Sequence, residues 1–139
     1  MTSTTGTAPL TASMVLSAAD RLIDAFRSTD TDAYFSCFHP EASFLFHTEP
    51  GLLPDRAAYR ALWSRWVDAG WRVVSCESDD RHVTIVGSTG VFSHTVRTTT
   101  EVDGIRESTV ERESIVLTRV GDELLAVHEH LSDAAEVEA

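Results

Sequence analysis

His94, Glu113 and His130 can be brought into one row across three strands, and a carboxylate flanked by two imidazoles suits proton transfer near neutral pH. The row follows from two turn signals. Asp103-Gly104 and Gly121-Asp122 each interrupt runs of β-forming residues. Asp-Gly is a strong signal for a two-residue hairpin, because both central residues must tolerate positive φ. If both loops have two residues, Val102 faces Ile105 and Val120 faces Glu123. Counting back along the strands then puts His94 opposite Glu113 and Glu113 opposite His130. The neighbouring row on the same face reads Phe92, Ile115 and His128, an apolar floor for a reactive pocket. The register holds only if neither hairpin carries an extra residue, since a one-residue bulge turns a strand's side chains to the other face.

Three uses of this row compete. Burial raises a carboxyl pKa and a neighbouring imidazolium lowers it, so the trio could work as an acid–base site with Glu113, His130 and His94 as its catalytic groups. Two histidines and one carboxylate also make a facial set for a divalent metal, although a flat row converges poorly on one point. The third use is a satisfied polar network that only orients the sheet. No metal and no cofactor are expected. A Gly-rich phosphate loop, a serine nucleophile elbow and an HExxH motif are all lacking.

The elements that must position these groups are helical first and β later. Residues 13–27 place Val15, Leu16, Ala19, Leu22, Ile23 and Phe26 on one helical face, with Ser13 as the cap. A second helix is predicted over 31–38 after an Asp30 cap, burying Tyr34, Phe35 and Phe38 and ending at Pro40. Residues 42–47 read as a short strand that includes Phe46. A third helix over 56–69, capped by Asp55 and stopped by Gly70, carries Tyr59, Leu62, Trp63, Trp66 and Val67 inward. From Trp71 the period switches to two, with strands predicted at 71–78, 82–86, 91–102, 105–120 and 123–132. Helices followed by antiparallel strands indicate an α+β fold. Its long central strands must curl into a cone around a pocket.

Composition narrows the partners. With 22 Asp and Glu against 11 basic residues the net charge is −11, which disfavours nucleic acid and anionic membranes. Cys37 and Cys76 are too few for a disulfide framework or a metal knuckle. The start of the chain lacks a charged n-region and a long apolar run, so neither a signal peptide nor a membrane anchor is predicted, and a cytoplasmic location follows. Residues 1–12 and the acidic stretch 133–139 are expected to be disordered tails around a single domain at 13–132.

Phe38-His39-Pro40-Glu41-Ala42-Ser43-Phe44 and Val127-His128-Glu129-His130-Leu131-Ser132 resemble stretches common in the SnoaL-like branch of the NTF2-like superfamily, which also includes ketosteroid isomerases. The resemblance spans residues 14–132. It implies a cone of three N-terminal helices on a curled, mostly antiparallel sheet. It also implies a pocket for a small hydrophobic carbonyl compound and an isomerase, cyclase, dehydratase or hydrolase. The superfold equally hosts non-catalytic binders, so the resemblance leaves enzymatic activity open. Tyr34 could take the position of the pocket tyrosine of ketosteroid isomerases, but their general-base aspartate has no counterpart here. His128, Phe92, Ile115, Trp66, Trp63, Tyr34 and Phe46 are expected to line the substrate pocket, with His47 at its rim or on the surface. Val116, Leu125, Val127 and Leu131 form an apolar strip expected on the outer sheet face. Since relatives commonly dimerise through this face, a homodimer is expected.

Overall fold

A computed structural model describes residues 8–134. Helix α1 (Ala12–Arg27) is capped by Thr11, whose side chain accepts from the Met14 N–H, two residues earlier than the Ser13 cap expected. Its buried face, with Val15, Ala18, Ala19, Leu22 and Ile23, lies against the sheet. Asp30 caps α2 (Thr31–Phe35), and Asp55 caps α3 (Arg56–Asp68), each accepting from the third N–H of its helix as expected for Asp at that position.

Five strands follow the order β1-β5-β4-β3-β2 in one sheet. They are β1 (Phe38–Phe46), β2 (Arg72–Val86), β3 (Thr89–Val102), β4 (Ile105–Val120) and β5 (Glu123–Asp133). The β1–β5 pair is parallel and the other pairs are antiparallel. The sheet curls over the helices in an α+β cone, as expected from the sequence.

Two boundaries differ from the reading of the sequence. The second helix stops at Phe35, and Phe38 already begins β1, so Pro40 lies inside a strand. Proline is tolerated there because β1 is an edge strand, and its register against β5 shifts between Phe38 and Ser43. The break expected near residues 79–81 is a bulge within one continuous β2, with Asp80 at φ 54°. Asp accepts this left-handed geometry more cheaply than most residues.

Two residues outside 13–132 also make contacts with the fold. Leu10 is buried, and the Ala134 N–H donates to the Val110 carbonyl. The rest of the two expected tails, residues 1–7 and 135–139, lies outside the described residues.

An aromatic core packs between the helices and the sheet. Tyr34, Phe35, Phe38, Phe44, Tyr59 and Trp63 are almost wholly buried, with ring centroids as close as 4.6 Å. Such edge-to-face and tilted pairs add roughly 0.5–1.5 kcal/mol each beyond area burial. The Trp63 indole N–H donates to Thr31 Oγ1, which ties α3 to α2.

Candidate functional site

The first hairpin has the expected geometry. Asp103 and Gly104 both have positive φ, and β3 pairs with β4 without a shift, so His94 lies opposite Glu113. The second hairpin begins equally well, with Val120 opposite Glu123 and Leu117 opposite Ala126. The register then slips by one residue, and Val116 faces His128 instead of Val127. Glu113 consequently lies opposite Leu131, and Ile115 opposite Glu129.

Every β5 side chain beyond the slip changes face. His130, expected to be catalytic, is on the outer face opposite Ser114, and His128, expected in the pocket, bonds Ser43 Oγ from Nδ1 at 2.8 Å on that same face. Leu131, expected in the outer strip, lines the cavity. Arg112 faces Ser132, where the unshifted register would put Leu131. The shift places Leu131 beside Phe46 and Glu129 beside Phe44, where β5 runs parallel to β1. It exchanges two imidazoles for one leucine and one carboxyl.

The cavity these strands enclose has a volume of about 330 Å³. Its apolar wall includes Leu22, Ile23, Phe26, Phe46, Tyr59, Trp66, Trp71 and Leu131. Of the residues expected to hold a substrate, Phe46 and Trp66 are in this wall. Phe92, Ile115, Trp63 and Tyr34 do not line it and are fully buried core residues behind its wall. Exposed Thr48 and Thr109, with half-buried Glu49, Trp66 and Trp71, mark the open end.

The polar part of the wall is built on β3, β4 and β5. Glu113 Oε1 meets His94 Nε2 at 2.7 Å, and His94 Nδ1 meets Ser78 Oγ at 2.6 Å. The Phe92 ring packs 4.7 Å from the imidazole. His94 is 4% exposed, and its pKa falls from 6.5 to about 4, chiefly through burial and next through the positive field of Arg81. The imidazole is therefore neutral, with Ser78 fixing one nitrogen and Glu113 the other.

Glu113 and Glu129 are hydrogen-bonded to each other. Two carboxyls this close cannot both ionise cheaply, so one proton is shared between them. Burial is the first cause raising both pKa values. The shared hydrogen bond lowers Glu113 and raises Glu129 further, so Glu129 is the better proton holder and Glu113 the better acceptor. The other oxygen of Glu129, Oε1, is buried and has no hydrogen-bond partner among the described residues.

A third carboxylate, Glu111, lies one inward position from Glu113 and bonds His47 Nε2 at 2.7 Å, while His47 itself is not part of the cavity wall. Tyr59, also in the wall, bonds Tyr34 hydroxyl to hydroxyl at 2.9 Å, deep in the aromatic core. When Tyr34 donates, the Tyr59 hydroxyl keeps its own proton for another acceptor. Burial raises both phenol pKa values well above 10, so both remain protonated.

Sequence reasoning missed Glu129 and Tyr59 as site groups and left Glu111 unassigned. For Glu129 the signal lay in the alternation His128-Glu129-His130, where one residue of slip swaps imidazoles for a carboxyl. With His130 outside, the two-histidine metal set loses a ligand, and no group of three or more His, Cys, Asp or Glu among the described residues is arranged to hold a metal.

Residues 15–136 match the family model described as a SnoaL-like domain. No curated protein matches the chain. Among solved structures, an NTF2-like protein from Cytophaga hutchinsonii superposes with a TM-score of 0.77 at 13% identity, covering 89% of this chain and 98% of that one. ActVI-ORFA from Streptomyces coelicolor gives 0.72 at 16% identity, covering 88% and 96%. A ketosteroid isomerase-like protein from Erwinia carotovora atroseptica gives 0.72 at 11% identity, covering 87% and 94%. At such identities the structural likeness speaks for the fold alone. The family match over most of the chain shows that this chain belongs to the SnoaL-like domain family, on a fold it shares with NTF2-like proteins.

Proposed function

We propose that the chain is a small-molecule enzyme that moves protons on a hydrophobic carbonyl compound. The observation that carries this reading is a pair of buried, hydrogen-bonded carboxyls in the wall of an aromatic cavity. The ionised member, Glu113, takes a proton from the carbon beside the carbonyl. The bonding pair moves onto the carbonyl oxygen, where the Tyr59 hydroxyl can donate. The dyad then returns a proton to carbon or oxygen. This enolisation is a first step common to isomerisation, aldol-type cyclisation and dehydration. His94, held by Ser78, keeps Glu113 in place and in its accepting state.

The test is exchange of the α-protons of 2-tetralone in D₂O, followed by NMR. Wild-type protein is expected to accelerate exchange, and Glu113→Gln to slow it by roughly two to four powers of ten, the usual contribution of a positioned base. No acceleration by the wild type, or full activity in Glu113→Gln, would refute the reading. The competing reading is a non-catalytic ligand holder, and closure of Ser78, His94 and Glu113 on one another favours it. The unpartnered Glu129 oxygen and the open mouth favour catalysis.

The same proposal includes a homodimer formed through the outer sheet face, where Val116, Leu125 and Val127 remain available after Leu131 turns inward. Light scattering at micromolar concentration should give twice the chain mass, and a monomer would end that part. No helix among the described residues is long and apolar enough to cross a membrane. Two free cysteines suit a reducing, cytoplasmic setting.

A further inference from the structure

The cavity is unusual in the sign of its charge. Glu49, Glu111, Glu113 and Glu129 line it, and no arginine among the described residues does. Glu111 and Glu113 both act on Glu129 as repelling charges. The facing wall is aromatic, with Phe26, Tyr59, Trp66 and Trp71. Glu49 makes no ion pair or side-chain hydrogen bond among the described residues, whereas Arg27, Arg60 and Arg81 are paired away from the cavity with Asp24, Asp32 and Asp20.

An acidic cluster alone would only be a set of groups awaiting protons. Here a second observation points to an occupant. Glu129 is 4% exposed and lines the cavity, yet its Oε1 has no donor. A buried carboxyl oxygen left unbonded costs about 1–3 kcal/mol, and a donor brought by the ligand would remove that cost. Carboxylates facing aromatic rings also recognise organic cations, because the ring faces and the carboxylates attract the same positive charge.

We propose that the natural ligand is a hydrophobic amine, whose ammonium group donates to Glu129 Oε1 and pairs with Glu111 while its apolar body lies against Trp66, Trp71 and Phe26. This deepens the enzymatic reading by naming the substrate class, an amine-bearing carbonyl compound. The amine sits between the reactive dyad and the mouth, and its charge stabilises the ionised dyad on which proton abstraction depends. Anionic compounds, including carboxylic acids and phosphorylated or thioester-carrier substrates, are excluded from the cavity by the same charges.

The test compares three probes of nearly one shape by calorimetry at pH 7.5: 2-(2-naphthyl)ethylamine, 2-(2-naphthyl)ethanol and 2-naphthylacetic acid. The amine is expected to bind at least about tenfold more tightly than the alcohol, and the acid not to bind measurably. Raising salt should weaken the amine more than the alcohol, although less than it would an exposed pair. Glu111→Gln should lower amine affinity by roughly three- to tenfold and leave the alcohol unchanged. Circular dichroism and thermal melting of the variant check its fold, and the wild-type probe comparison decides the matter even if the variant fails to fold. Equal binding of amine and alcohol, tighter binding of the acid, or binding of none of the three would overturn the proposal. Exchange of 2-tetralone protons without amine preference would sink this inference alone. Amine preference without exchange would sink the enzymatic reading and leave an amine binder.

Discussion

Acid should destabilise this protein through one residue more than any other. His94 titrates at 6.5 when unfolded and at about 4 in the fold, because burial and Arg81 oppose its charge. Between those values the unfolded chain holds a proton that the folded chain does not. Stability therefore rises with pH across the window, is fully present above 6.5, and is lost as pH falls toward 4. At roughly 1.4 kcal/mol per pH unit, a drop from 6.5 to about 4 corresponds to about 3 kcal/mol. The groups that face the imidazole are Glu113 and Ser78 by hydrogen bond and Arg81, Glu129 and Asp79 through their fields. The buried dyad works in the opposite direction, since raised carboxyl pKa values give stability below 4.5 that is lost as pH rises. Wild-type stability alone would mix the two, so the useful quantity is a difference. His94→Gln keeps a polar side chain that cannot titrate. Urea unfolding of both proteins from pH 7.5 to pH 4 should show the wild type losing about 3 kcal/mol relative to the variant. Whatever His94→Gln costs at pH 7.5 is a constant offset and drops out. Parallel stability curves would show that the imidazole titrates in the fold as it does in the unfolded chain, so that burial and Arg81 do not hold it neutral, and a wild type that gains on the variant as pH falls would show an imidazole charged in the fold.

Other outcomes follow from the same geometry. Glu129→Gln removes the group that must give up its proton as pH rises, so the variant should gain stability relative to wild type above pH 4.5; urea midpoints that fall instead would mean the carboxyl is ionised and welcome. The His130 side chain is on the outer face, so His130→Ala should leave 2-tetralone exchange within about twofold of wild type, the scatter of a surface change with no catalytic part. A loss comparable to that of Glu113→Gln would restore the unshifted register.

What the sequence determines is local or set by the shortest loops. Thr31–Phe35 and Arg56–Asp68 start at Asp caps whose side chains each fill one open N–H of the first turn, and both caps are legible as single residues. The Asp103-Gly104 turn has room for only two residues, so it fixes fourteen β3–β4 pairs and delivers His94 to Glu113 without reference to anything else. The end of the second helix is less legible, because Phe38 fits a helical face as well as it does a strand.

Tertiary structure decides what β5 presents. That strand is held on two sides, antiparallel to β4 and parallel to β1, and a turn controls only the first of these edges. Satisfying both, with Leu131 beside Phe46, takes one extra residue between Leu117↔Ala126 and Val116↔His128. Nothing in Val127 or its neighbours announces that residue, since Val and Ala suit a regular strand as well as a bulged one. Because side chains alternate with a period of two, this single slip sends His128 and His130 outside and brings Glu129 in. The partner of Glu113 is a second carboxyl instead of an imidazole for that reason, and the two buried acids must share a proton.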